Sequence, residues 1–432
     1  MKHDVMGASA TTQRRHLLQL ASALALASAS PSGFTQPAAG RKIKIGYVTP
    51  QTGPLAGFGE GDAFVLSGIN WAFKNGLAIA GKKHPVEILV RDSESKANRA
   101  AEAAAELILK DRVDLMLVGS TPENTNPVSV QCERYGIPCI STTSPWQSWF
   151  FGSGGDPKKG FDWAYHFFWG LEDIIAVFTN MWKDIPTNKV VGLLLANDAD
   201  GSAWGDAQLG LPPALTAKGF TVINPGRYQP MQLDFSAQIS AFKKANVEIV
   251  CGVPTPPDFK TFWTQARQQG FKPKAVTMGK AFTFPSAVEE LGDTADGLTQ
   301  EAWWSPNLPF SSSLIVQSAR QFAAAYEAHS KKPWNMAVGY THAIFEVAAD
   351  VLKRTKDVEN KASIRDAILE TRLDTLIGRV SWKSGPVKNV SRTPLVGGQW
   401  VKGRTNKYEL LIVNNESAPF VPLDARIRAM AY

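Results

Sequence analysis

Short apolar runs alternate with amphipathic helical stretches, twice over, and that alternation leaves few folds open to this chain. In the first series Lys42–Val48 (KIKIGYV), Val86–Val90 (VEILV), Leu115–Val118 (LMLV) and Ile137–Ile140 read as strands, with helical spacing over Asp62–Ala80, Lys96–Lys110 and Pro127–Tyr135. Apolar strands joined by helices make parallel β-α-β units, and right-handed crossovers place helices on both faces of one sheet. The pattern restarts after residue 170. Strands are expected at Val190–Leu195, Thr221–Ile223, Glu248–Cys251 and Ala275–Met278, with helices at Ala203–Lys218, Phe235–Ala245 and Asp258–Gln269. Helical stretches Ser312–Ser330, Met336–Arg354 and Ile364–Leu373 and a β-like segment Gly378–Trp382 follow. The expected fold class is α/β, with two doubly wound lobes.

Composition agrees with two cores of that kind. The chain has 432 residues, 44% hydrophobic and 20% charged, which excludes a disordered chain and leaves no need for a metal or disulfide staple. The formal net charge is +7, but no Lys/Arg run or basic helix concentrates it, so no nucleic-acid partner is expected. No run of 18 apolar residues occurs, so the chain is not expected to be an integral membrane protein. Residues 1–40 have the layout of an export signal and linker. Arg14-Arg15 precede an apolar, Ala-rich run from Leu17 to Ala29, and small residues at Ala27 and Ala29, or Ala38 and Ala39, offer cleavage sites. The paired arginines point to the twin-arginine route and a periplasmic or otherwise extracytoplasmic destination. No Cys lies near those sites, so no lipoprotein anchor is expected.

Chemistry-bearing motifs are absent. There is no G-x-S-x-G and no G-x-x-x-x-G-K-[ST], and no histidine pair has zinc-ligand spacing. No catalytic residue, cofactor or metal is therefore expected. Cys132, Cys139 and Cys251 lack CxxC spacing. They read as buried thiols, with a Cys132–Cys139 disulfide the alternative in an oxidising compartment. The loops after the strands carry Gly, Pro, Ser, Thr and Asn, which offer hydroxyls, amides and backbone N–H groups to a ligand crevice. Between the two series every odd position from Phe161 to Trp169 is aromatic (Phe161, Trp163, Tyr165, Phe167, Trp169), an extended segment with one aromatic face. That face is either a buried edge of the core or a wall against a ligand.

The order of segments is specific: an export signal, KIKIGYVTPQTGPLAGFGEG, GSTPENTNPVS, YGIPCISTTSP, NDADG and FWTQARQQGFKP. In this order the chain resembles the leucine/isoleucine/valine-binding, substrate-binding proteins of branched-chain amino acid ABC transporters, over roughly residues 41–403. The resemblance implies a type I periplasmic binding protein fold, two lobes joined by three crossovers. Lobe one would take 41–168 and 304–374, lobe two 169–303 and 375–403, with 404–432 as an extra C-terminal tail. It implies a small-molecule ligand held between the lobes and an ABC transporter permease as partner. By the same resemblance the ligand's carboxylate would meet Ser120, Thr121, Asn124 and Thr125, and Thr142, Thr143 and Ser144. Phe58, Asp200, Thr255, Lys280 and Trp304 would complete the site. The family's acidic residue for a ligand ammonium falls near Lys280-Ala281 here, so leucine is expected to bind poorly, and an aromatic or other carboxylate or an amide better. A ligand sensor of the same fold and an exported hydrolase are the alternative functions.

Overall fold

The structure is a computed structural model that describes residues 39–432; the expected export signal lies outside the described residues but for its last two. From Gly40 onward the chain forms one compact unit built on two large sheets. In chain order the strands are β1 (Ile43–Thr49), the small hairpin β2 (Leu77–Ile79) and β3 (Lys82–His84), then β4 (Val86–Asp92), β5 (Leu115–Val118), β6 (Cys139–Thr142) and β7 (Ala164–Phe167). The second series is β8 (Val190–Leu194), β9 (Thr221–Ile223), β10 (Ile249–Gly252), β11 (Ala275–Met278) and β12 (Thr299–Ala302). A second hairpin, β13 (Arg372–Thr375) and β14 (Gly378–Ser381), precedes β15 (Val390–Ser391), β16 (Val396–Lys402) and β17 (Tyr408–Asn414).

The first sheet runs β15-β7-β6-β5-β1-β4, all parallel. The second runs β17-β16-β12-β11-β10-β8-β9, parallel except for β16 and β17. The chain passes from the first sheet to the second after β7, back after β12, and over again between β15 and β16. These are the three crossovers. In each sheet the strand order reverses beside the first strand, between β1 and β5 and between β8 and β10, and ligand crevices form at the carboxyl ends beside such points.

Burial explains why these segments take these forms. In helix Ala97–Leu109, Ala100, Ala103, Ala104, Leu107 and Ile108 make one stripe at helical spacing, and all are buried. Central strands β5, β6, β10 and β11 are buried along their whole length. Several helices differ from the sequence pattern: Pro127–Tyr135 begins earlier, at Pro122, Ile364–Leu373 ends at Leu369 with Leu373 in β13, and three more show a local cause. The first stops at Phe73, because Gly76 turns the chain at φ +74° into the β2–β3 hairpin. The stretch Ala203–Lys218 divides into Ala199–Trp204 and Leu211–Ala217, with Gly205 and Gly210 at the break. Helix Ala319–Ser330 begins later than Ser312, at a capping box of Ser318 and Gln321.

Residues 404–432 are not a detached tail: β17 pairs with β16 along its length, and Ile412 and Val421 are buried in the core. Val390–Ser391, assigned to lobe two by the resemblance, pairs with β7 of the first sheet. The aromatic ladder is mostly core. Tyr165 and Phe167 pack on Trp382, Phe161 on Trp149, and half-buried Trp163 lies under Arg365. Cys132, Cys139 and Cys251 are buried free thiols. No helix among the described residues is long and apolar enough to cross a membrane.

Candidate functional site: a cleft between the two sheets

The carboxyl ends of both sheets face one narrow cleft with a cavity of about 30 Å³. From the first sheet come Phe58 after β1, Thr121 after β5, Thr143 and Pro145 after β6, and Phe168 and Trp169 after β7. From the second come Asp200 and Trp204 after β8, Val253 after β10, Lys280 and Thr283 after β11, Glu301 on β12 and Trp303 just after it. Phe58 meets Phe284 across the gap edge-to-face, with centroids 5.0 Å apart, so the lobes touch. Three loop residues at these strand ends, Ser120 (φ +97°), Thr143 (φ +64°) and Lys280 (φ +62°), hold left-handed backbone, a strain that gathers at binding sites. Gly279 is required beside them, since a Cβ there would lie 2.7 Å from the Trp204 ring.

Buried polar atoms line this cleft without partners in the protein. They are Thr121 Oγ1, the indole Nε1 of Trp169 and of Trp204, Asp200 Oδ1 and Glu301 Oε2. A buried polar group left unpaired costs about 1–3 kcal/mol. Five such groups around one space mark a surface shaped to pair with something that enters it. The set has donors (two indoles and a hydroxyl), one carboxylate acceptor, Asp200, and the carboxyl of Glu301.

Lys280 is buried. Its Nζ lies 2.9 Å from Asp200 Oδ2 and 3.5 Å from Asp198 Oδ2. Burial works against its charge, but Asp200, Asp198 and Glu123 outweigh that and hold its pKa well above the ordinary value. Lys280 is therefore already neutralised within the protein. Burial pushes Asp200 up to about 6, against the pull of Lys280, which leaves it ionised at neutral pH. Burial pushes Glu301 up to about 8, so its carboxyl is protonated at neutral pH. A further lobe-two carboxyl thus reaches the cleft, from β12 and not from the loop after β11, and in its neutral form.

The structure brings Phe58, Thr121, Thr143, Asp200 and Lys280 to the cleft, and turns other expected residues away. The hydroxyl of Thr125 donates to Thr121 O and Asn126 Oδ1, as helix residues do when they bond the preceding turn. Ser144 is buried, its carbonyl held by His166 Nε2 at 2.8 Å. Thr142 Oγ1 donates to Phe167 O. Thr255 caps helix Pro256–Gln268, its Oγ1 accepting from Asp258 N. Trp304 is fully buried, its Nε1 donating to Leu376 O; strand alternation sends Glu301 and Trp303 to the cleft and Trp304 elsewhere. Ser120 lies just beneath the cleft beside Thr142 and Tyr47, with its Oγ unpartnered. Asn124 is fully buried with both amide atoms unpartnered, in the first turn of the helix behind Thr121. Sequence reasoning missed Glu301, Trp204 and Phe168. The signal for Glu301 was a carboxyl within an otherwise neutral strand, Thr299–Ala302. No cluster of metal-ligating side chains occurs among the described residues.

Two parallel-sheet lobes, three crossovers and a polar-lined cleft at the facing strand ends define a type I binding protein. The chain belongs to the periplasmic binding protein family, whose sequence profile matches residues 42–403. Solved structures agree on the fold. A leucine-binding protein from Thermotoga maritima is 20% identical, with TM-score 0.69 over 87% of this chain and 99% of its own. A branched-chain amino acid transporter substrate-binding protein from Streptococcus pneumoniae, in complex with isoleucine, is 17% identical, with TM-score 0.67 over 86% and 99%. A solute-binding protein of an ABC transporter from Rhodopseudomonas palustris, in complex with 3,4-dihydroxybenzoic acid, is 17% identical, with TM-score 0.68 over 86% and 96%. At these identities the likeness is one of fold.

Proposed function

We propose that this chain is an exported solute-binding protein that captures one small molecule between its lobes and delivers it to the permease of an ABC importer. The observation that carries this reading is the set of five unpartnered buried polar atoms lining the interlobe cleft. A ligand that satisfies them presents an acceptor end, a carboxylate or amide carbonyl, to Thr121 and the two indoles. Its other end presents N–H groups to Asp200 and Glu301. A flat or aliphatic body would lie between Phe58, Phe168 and Trp303 once the lobes part to admit it. An α-amino acid or a small amide meets both requirements, and the ionised Asp200, with Oδ1 unpartnered, brings leucine back among the candidates. Some relatives of this fold bind isoleucine and others 3,4-dihydroxybenzoic acid, which keeps both ligand bodies in view.

Calorimetry with leucine, a short branched amide and benzoate tests the reading. Binding of a compound with both a donor and an acceptor end, and none of benzoate, is the expected result. Binding of benzoate alone, or of none while a panel of esters is turned over, would overturn it.

A further inference from the structure

A second opening between the lobes lies on the far side of the second crossover. Trp303 faces the cleft, whereas Ser305–Asn307 floor an open groove of about 360 Å³. One wall is helix Ala319–Ser330, and the other is the β16–β17 hairpin with Asp424 beyond it. Much of that second wall lies outside the stretch matched by the family profile. The helix is tied to lobe one, where Phe64 packs on Phe322 and Tyr326.

The groove carries an excess of negative charge. Glu327, Glu409 and Asp424 line it, and among the described residues no Lys or Arg pairs with any of them. Arg320, the basic side chain on the wall, donates to Asn307 Oδ1 instead. Two indoles, Trp334 and Trp400, line the same space. Trp400 is 3% exposed, and its Nε1–H is buried and meets no acceptor. Aromatic faces beside carboxylates attract organic cations, and an orphaned indole N–H asks for an oxygen. We infer that this groove is a second ligand site, for a small organic cation that also carries an oxygen acceptor. An occupant would touch both lobes at once.

Choline and tetramethylammonium, titrated calorimetrically into the full chain, are the probes. Both should bind, and choline more tightly, because only its hydroxyl can accept from Trp400. Trp400→Phe should erase that difference while keeping binding. Glu327→Gln and Glu409→Gln, on half-buried positions, should weaken both probes roughly tenfold, as loss of one charged partner does. These two variants keep the test open if Trp400→Phe fails to fold. No saturable binding of either probe in the millimolar range would overturn the inference. So would binding that survives both glutamine variants, or that is lost in Asp200→Asn, which would place the probe in the cleft.

Discussion

Glu301 sets a pH signature. Its carboxyl has an ordinary value of 4.5 and is pushed up to about 8 by burial. Between these values the folded chain holds a proton that the unfolded chain releases, so stability falls as pH rises through that window. Asp62 and Glu346, both raised to about 7 by burial, add to the same slope. Thermal unfolding at several pH values should show a shallower slope for Glu301→Gln; an unchanged slope would mean that Glu301 carries no proton there. At the acceptor end, Thr121→Ala and Trp204→Phe should each weaken ligand binding by about 1–3 kcal/mol. Thr255→Ala should leave affinity alone and cost about 1 kcal/mol of stability, as loss of a helix cap does. Titration of the three variants separates the two roles; equal losses of affinity would contradict the assignment of Thr255 as a cap. The hydroxyls of Thr121 and Thr125 look alike in sequence, four residues apart. Only the helix start decides that Thr121 faces the cleft while Thr125 bonds back into its own turn. Glu301 was hidden for a related reason, since nothing local says which strand end will face the other lobe.

Among the elements, strands β5, β6, β10 and β11 and helix Met336–Arg354 were legible in the sequence, because their apolar runs and spacing are set by burial alone, whereas β12, with Glu301 in it, was not. Helix ends were less so. The run Leu314-Ile315-Val316 looks helical, yet Val316 is fully exposed, and the segment before Ser318 is held by Ser312 and Ser313 bonding to His342 and Glu346. The strand β17 was missed because its worth depends on an edge supplied by β16. A measurement of stability checks its place. Ile412 is fully buried, so Ile412→Ala should cost about 2–5 kcal/mol, as in any core, against almost nothing for a loose tail. A negligible loss in denaturant unfolding would contradict the pairing described here.

For the whole molecule, closure on a ligand should be visible. Trp169, Trp204 and Trp303 all line the cleft, so binding should change tryptophan emission and reduce the scattering radius. A ligand at roughly 100 times its dissociation constant should add about 2.7 kcal/mol to stability. Binding without change in emission or radius would count against a hinged closure. The interleaving of the two sheets also bears on how the chain is made. The first sheet needs β15, whose Val390 pairs with His166, and the second needs β16 and β17. A ribosome working from the amino end therefore cannot finish one lobe before starting the other. Both sheets stay incomplete until some nine-tenths of the residues have emerged, and each holds an open edge meanwhile. Such long-range pairing is slow to form and prone to aggregate. A growing chain of this design is one that a holding chaperone would be expected to meet early and release late.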